Sequence, residues 1–286
     1  MIFVTYRWTV IVILLNKEQI QHGLVERIKN TSFNLHLFKT IDSTNRYLKE
    51  LSHRDHQIDV CCAEEQTQGR GRFGRAWYSP FAENIYCSSR WRLGQDPSQL
   101  AALSLLVSLA VIATLDELKI ANDCMIKWPN DILWQGKKLS GILIELMRAP
   151  NQNVDAIIGI GLNVNSTATE PTQFPHPMRP WCSLQDITGY SFDRNDIITR
   201  LLSQLHQHMT TFITLGFSSF MTTWQARDYL DGQVVTVAQP ADTLTGVAKG
   251  INDHGQLILI DEHQTVHYLS SGETSLNMAY VREKRK

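Results

Sequence analysis

The sequence carries no excess of charge: 27 Lys and Arg side chains stand against 28 Asp and Glu, a formal net charge of −1. Bulk attraction to nucleic acid or to an anionic lipid surface is therefore not implied, and any basic surface must be local. None of the five cysteines (Cys61, Cys62, Cys87, Cys124, Cys182) sits in a CxxC pair, and their number is odd. A zinc site and a disulfide framework are both disfavoured, which leaves free thiols in a reducing cytoplasm. Neighbours on a strand point to opposite faces, so Cys61 and Cys62 should serve different surroundings if that stretch is a strand. Long hydrophobic runs are also lacking. The most apolar stretch, MIFVTYRWTVIVILL at 1–15, is split by Arg7. The remainder, Trp8 to Leu15, falls far short of the ~20 residues that span a bilayer. It also has neither the leading positive charge nor the small-residue cleavage site of a signal peptide. A buried strand or a poorly ordered start is expected there, in a cytoplasmic protein with no membrane partner. No internal repeat and no low-complexity tract occurs.

What is present, 286 residues of which 43% are hydrophobic, suffices for one large domain and a small one. Asn16 is placed to cap a helix carrying Ile20, Leu24 and Ile28 at helical spacing. The run LHLFKTIDSTNRYLKELS reads as a strand, a turn at Asp42–Thr44, and a helix with Tyr47, Leu48 and Leu51. IDVCCAEEQ reads as a buried strand and NIYCSSRWRL as an alternating one. Ser98 or Gln99 opens a long apolar helix that polar residues interrupt too often for a membrane span. MIKWPNDILW and KKLSGILIELM are expected as strands about a turn at Gln135–Gly136, and AIIGIGLNVN as another. A Pro-rich loop from Glu170 to Pro180 precedes Trp181, and Asn195 to Leu215 is an amphipathic helix. After about Asp231, short strands between Gly and Asp turns suit a small antiparallel barrel. The division is then a short apolar segment at 1–15, a main domain at 16–230 and a barrel at 231–286, with α+β as the class.

Residues 69–77 read GRGRFGRAW. Alternating glycines free the backbone and expose successive N–H groups, while arginines add forks suited to phosphate or carboxylate oxygens. The spacing is not GxxxxGK[ST]. It fits GxGxxG by letter only, because arginines stand where a βα turn needs small residues. An anion cradle is the favoured reading over a disordered nucleic-acid tether, because strand-like runs flank the loop. Downstream, KWPND at 127–131 offers an amide and a carboxylate at a bend fixed by Pro129, and Lys138 follows across a tight turn. Asp131 could hold Mg²⁺ beside phosphates or accept a proton from an attacking amine; taken alone, PND is a plain turn and Lys138 a solvated lysine. Trp77, Trp128 and Leu139 are candidates for an apolar wall.

GRGR-GR-W, KWPND, KKLSGIL-E and IGIGLNVN, in that order, with IDSTN upstream and GE-SL at Gly272–Leu276, resemble the bacterial biotin–protein ligases (biotin–[acetyl-CoA carboxylase] ligases). The resemblance runs from about Leu14 to Leu276. It implies a mixed, largely antiparallel sheet with flanking helices, a class II synthetase-like core, and an SH3-like C-terminal barrel. It implies an enzyme that joins biotin and ATP to biotinyl-5′-AMP with Mg²⁺. The biotinyl group then passes to a lysine of the biotin carboxyl carrier protein of acetyl-CoA carboxylase. Carried over by position, Ser43, Thr44, Asn45 and Gln66 meet biotin, and Arg70, Gly71 and Arg72 fold over biotin and the adenylate phosphate. Lys138 reaches the biotin carboxylate. Asn130 and Asp131 lie near the reacting carboxyl and metal, Asn163 lines the nucleotide side, and Trp181 is an adenine neighbour or ordinary core. Arg70, Arg72, Lys138 and Asp131 are the implied catalytic set, and no nucleophilic side chain is called for. Phe73 departs from the pattern, which often has a basic residue there, so altered loop closure is expected. Only some fifteen residues precede the matching region, too few for the winged helix-turn-helix of the family's repressors, so no DNA binding is expected. A homodimer through an exposed sheet edge is compatible with the resemblance. The rivals are a lipoate–protein ligase, with the same acyl-adenylate chemistry, and a non-catalytic RNA-binding module, with steeply salt-dependent affinity.

Overall fold

Cys61 and Cys62 do face opposite ways, and the two faces set the layout. Both sit on strand β2 (Gln57–Gln66). Cys62 belongs to the main core, whereas Cys61 packs with Leu48 and Ile157 in a small cluster on the other side. The computed structural model describes residues 13–52, 57–93, 100–149, 153–167, 180–239 and 242–276. The apolar stretch up to residue 12, the helix start at Ser98 or Gln99, and the Pro-rich loop up to residue 179 lie outside the described residues.

The large sheet has seven strands: β1 (Ser32–Ile41), β2, β3 (Ile85–Leu93), β4 (Cys124–Lys127), β5 (Asp131–Trp134), β6 (Lys137–Arg148) and β7 (Val154–Leu162). Their order is β1-β2-β3-β7-β6-β5-β4. Only β1 and β2 run parallel; every other pairing is antiparallel, so the sheet is mixed. Against the main-core face lie helices α1 (Lys17–Arg27), α3 (Leu100–Glu117) and α5 (Arg194–Leu215). Asn16 caps α1, its side chain accepting from Gln19 N, as its position predicts. α3 is apolar nearly all round because it is buried nearly all round, with Leu103, Leu106, Ala110 and Val111 fully covered. No helix among the described residues is long and apolar enough to cross a membrane.

MIKWPNDILW is not one strand but two. Lys127 pairs with Asp131 across a bend at Trp128–Asn130, so Asp131 opens β5. The expected turn at Gln135–Gly136 joins β5 to β6, with both residues at positive φ (47° and 79°). Short helices α4 (Leu184–Thr188) and α6 (Met221–Gln225) had no clear signal in the periodicity. The C-terminal strands β8 (Val234–Ala238), β9 (Thr243–Ile251), β10 (Leu257–Ile260), β11 (Val266–Leu269) and β12 (Glu273–Leu276) form a small antiparallel sheet of SH3-like type, ordered β11-β10-β9-β8-β12.

Asp228 lies where the chain leaves β4's side and enters that sheet. Its Oδ1 accepts from Leu230 N at 2.9 Å, but Oδ2 is buried with no hydrogen-bond partner among the described residues. Burial pushes its carboxyl up from 3.8 to about 6, helped by Asp231 and opposed by the backbone N–H. A raised folded-state pKa means that this stability contribution is complete below about pH 4 and is lost as pH rises through about 6. We therefore expect Asp228→Asn to match wild type in melting temperature at pH 4. At pH 7 it should exceed wild type by the equivalent of roughly 3 kcal/mol. A gap that does not change with pH would refute this origin.

Candidate active site

The cleft is built on bare backbone. β6 and β7 present Gly141, Gly159 and Gly161 to the face that carries helix α2 (Thr44–Glu50), and each glycine is under something. A Cβ on Gly161 would lie 2.4 Å from the Trp77 ring, and one on Gly141 would lie 2.9 Å from it. A Cβ on Gly159 would lie 2.3 Å from Asn45 Oδ1. Real Cβ atoms do not approach so closely, so the indole and the Asn45 amide rest directly on the strands. This is the physical content of the alternating glycines in IGIG: glycine inside a strand marks a close approach.

At one end of this floor stands the start of α2. Ser43 is its N-cap, the hydroxyl accepting from Arg46 N. Thr44 N donates to Gln66 Oε1 at 2.9 Å, and Gln66 Nε2 donates to Ser79 Oγ at 3.2 Å. Asn45 Nδ2 donates to Glu145 Oε2 at 2.9 Å, and Lys49 pairs with the same carboxylate at 3.0 Å. Burial works to raise the Glu145 carboxyl, but the hydrogen bonds from Asn45 and Lys49 outweigh it and hold the group below its ordinary value. The residues named for the ring of a ligand are thus fixed before any ligand arrives.

The glycine–arginine run is a small closed hairpin. Arg70 bridges Ala76, Gly71 N donates to Arg75 O at 2.7 Å, and Trp77 N donates to Gly69 O at 2.9 Å. A single 3-10 turn at Arg72–Gly74 forms its tip, with Phe73 (φ 57°) and Gly74 (φ 73°) both left-handed. Phe73 is exposed, and the Arg72 guanidinium stacks over its ring at 5.0 Å. Arg72 also reaches Asn130 Oδ1 (3.4 Å) and Gly272 O (3.3 Å). Burial pulls its pKa down, and Asp131 and Glu273 pull it back. Arg70 Nε is buried with no partner among the described residues. A buried N–H without a partner is costly, and a shift of the Arg70 side chain toward an anion in the adjoining cleft would relieve it.

The opposite wall carries Lys138, whose Nζ lies 2.6 Å from Asp131 Oδ1 and 5.3 Å from the Trp77 ring centroid. Asn130 is held by its own Nδ2, which donates to Ile142 O at 2.8 Å. The small sheet closes the far end. Lys127 Nζ donates to Thr274 O, Thr274 Oγ1 donates to Trp128 O, and Trp128 Nε1 donates to Gly255 O. Glu273 forms an ion pair with Arg75. Glu273 therefore lines the cleft against the arginine hairpin.

One cleft gathers Ser43, Thr44, Asn45, Gln66, Arg70, Gly71, Arg72, Asn130, Asp131 and Lys138. Asn163 and Trp181 are not on its lining. Asn163 Nδ2 donates to Cys182 O at 3.0 Å, and Trp181 bridges Lys138 through the backbone, so both lie behind the lysine as part of its support. Of the three candidates for the wall, Trp77 and Trp128 line the cleft, while Leu139 points into the main core because strand alternation sends it there. Sequence reasoning gave no role to Ser79, Ser88, Glu145 or Thr274. Glu145 stood only as the last residue of KKLSGIL-E, Ser88 and Thr274 showed only as polar residues in strand-like runs, and Ser79 lies in the connection between β2 and β3. All five cysteines are free and buried, and burial pushes Cys124 up to about 11 and Cys182 to about 12, so none is poised as a nucleophile.

Comparison with known proteins agrees with this geometry. The model of the biotin/lipoate A/B protein ligase family matches residues 37–165, and that of the biotin protein ligase C terminal domain matches 232–276. The bifunctional ligase/repressor BirA of Escherichia coli is 33% identical, covering 84% of this chain and 73% of its own. The biotin--[acetyl-CoA-carboxylase] ligase of Mycobacterium tuberculosis is 34% identical, covering 81% of this chain and 84% of its own. Among solved structures, the biotin protein ligase from Aquifex aeolicus in complex with biotin and ATP superposes with a TM-score of 0.71 at 30% identity, covering 85% of this chain and 98% of that one.

Proposed function

We propose that this chain, which belongs to the biotin protein ligase family, joins biotin and ATP to form biotinyl-5′-AMP and pyrophosphate. It then transfers the biotinyl group to a specific lysine of the biotin carboxyl carrier protein of acetyl-CoA carboxylase. The observation that carries the reading is the single cleft in which a pre-ordered polar end, an arginine hairpin with an orphaned N–H, and the Lys138–Asp131 pair face one glycine floor. A lipoate ligase would share the chemistry. The hydrogen-bonded Thr44, Asn45 and Gln66 suit a ureido ring better than a dithiolane, which has no N–H to offer.

For a carboxylate to attack an α-phosphate, two negative groups must be brought together and the developing charge offset. Lys138 would meet the carboxylate, and Arg70 and Arg72 the phosphate. The mixed anhydride hydrolyses readily, and the Arg72–Gly272 and Arg75–Glu273 contacts, which tie the hairpin to the small sheet, would help to keep water from it. Magnesium would offset phosphate charge when bound. Among the described residues no group of three His, Cys, Asp or Glu forms an all-protein cage, so the fit is to Asp131 together with the substrate's own phosphates. Asp131 is also the carboxylate placed to take the proton of the incoming lysine once Lys138 is drawn to the acyl group. Asp131→Ala is expected to slow transfer from preformed biotinyl-5′-AMP roughly 100-fold; unchanged transfer would remove it from that role. The reading places the chain in the cytoplasm and allows two copies to pair through a sheet edge. Incubation with labelled biotin, ATP, Mg²⁺ and a carrier domain tests the whole proposal: label should appear on one carrier lysine, and its absence would defeat the reading.

A further inference from the structure

Ser88 belongs to no motif and is not on the cleft lining, yet its hydroxyl stands between two residues that are. It lies on β3, fully buried, 2.7 Å from Thr44 Oγ1 and 2.6 Å from Asn45 Oδ1. Thr44 Oγ1 lies in turn 3.0 Å from Gln66 Oε1. Four oxygens thus make three contacts in a row, while the two hydroxyls supply two hydrogens between them.

The outer ends of the row are acceptors, and their orientation is fixed. Turning Asn45 over would set its oxygen against the Glu145 carboxylate, which now receives Nδ2. Turning Gln66 over would set its NH₂ against Thr44 N–H, which now donates to Oε1. The Ser88 hydrogen therefore goes to Asn45 Oδ1, which can only accept. The hydrogen between the two hydroxyls must then come from Thr44. Gln66 Oε1 loses little, because it already holds Thr44 N–H. The longest of the three contacts is the one left without a hydrogen.

Thr44 consequently has no hydrogen to turn toward the cleft it lines. Turning it there would leave two oxygens 2.6–2.7 Å apart with nothing between them, at a buried site. We propose that Ser88 is a specificity-determining positioning residue: it takes the Thr44 hydroxyl hydrogen, so that Thr44 meets the ligand only as an acceptor and the site demands a ring N–H. This rests on the reading of biotin as substrate, whose ureido ring carries two N–H groups. Without Ser88, the Thr44 hydroxyl keeps only the longer contact to Gln66 Oε1, an oxygen that already holds Thr44 N–H, so an acceptor atom in the ring can compete for its hydrogen.

The test is calorimetric titration of the full chain with biotin and with the two cyclic-carbamate analogues in which one or the other ring N–H is replaced by oxygen. Wild type is expected to bind biotin at least about 100-fold more tightly than one of the analogues, as sites built to bond an N–H reject its absence. In Ser88→Ala the gap for that analogue should shrink to less than about tenfold, while Ser88→Thr, which keeps a hydroxyl, should retain most of it. A purely structural role for Ser88 would weaken both ligands by one common factor and leave the gap intact; that result overturns the inference. If Ser88→Ala does not fold, Thr44→Val, which removes the responding hydroxyl, is judged by the same shrinkage of the gap. Wild-type protein that fails to bind biotin defeats the functional reading itself. Wild-type protein that binds biotin with an unaltered gap in the variants defeats this inference alone.

Discussion

Lys138→Ala is expected to lower biotin-dependent pyrophosphate release roughly 100- to 1,000-fold, the scale on which a fixed donor at a developing charge acts. Two effects add. The ammonium that would neutralise the biotin carboxylate is lost, and Asp131, 2.6 Å from that ammonium, loses its ion-pair partner while facing two incoming anions. Lys138→Arg should not restore the rate. A planar fork differs from the compact ammonium that sits over the Trp77 ring with Asp131 beside it. The double variant Lys138→Ala/Asp131→Ala weighs the repulsion of those anions by Asp131 against the Mg²⁺ that Asp131 would hold: adenylation slower than in Lys138→Ala alone would show that the metal role is the larger. A loss below about tenfold in the single variant would show that the charge is offset elsewhere.

The second large effect falls on the floor. Gly159→Ala places a methyl 2.3 Å from Asn45 Oδ1, and Gly161→Ala places one 2.4 Å from the Trp77 ring. Neither obstacle is the free end of a flexible chain: Asn45 is tied to Glu145 and Ser88, and the indole is pinned between strand and Lys138. Overpacking of this kind costs about 1–3 kcal/mol, so biotin affinity should fall roughly 10- to 100-fold in each. Gly71→Ala behaves differently. Its Cβ would meet nothing closer than 3.7 Å, so the empty protein should be as stable as wild type. If adenylate binding nonetheless weakens, the bare backbone at Gly71 serves the ligand's approach and not the fold. Titration calorimetry with biotin, alongside thermal melts, separates the three; full biotin affinity in Gly159→Ala would contradict the described seat of Asn45.

Much of this was legible before the structure, for reasons that differ by residue. Asn16 and Ser43 cap helices because short polar side chains next to a hydrophobic period do so in almost any context. The opposed fates of Cys61 and Cys62 follow from strand alternation alone. Arg70, Arg72, Asp131 and Lys138 were placed in one site by an ordered set of motifs, and they are in one cleft. What stayed hidden depends on contacts between distant segments. That Asn163 supports Lys138 from behind requires the pairing of residue 181 with the start of β6. That Lys127 and Trp128 clasp the C-terminal sheet requires Thr274 and Gly255 to arrive from more than a hundred residues away. The role of Ser88 is visible only once hydrogens are counted around it. The split of MIKWPNDILW into two strands had a local cue in Pro129, which cannot donate to a ladder, but the period of the flanking residues concealed it.

The central claim is that this cleft couples one vitamin acid to ATP by way of an acyl-adenylate. Biotin-dependent exchange of labelled pyrophosphate into ATP, with no carrier present, tests it most directly. The account predicts exchange with biotin, none without it, and at most a trace with lipoate. Exchange that is absent with biotin, or as fast with lipoate, would contradict it.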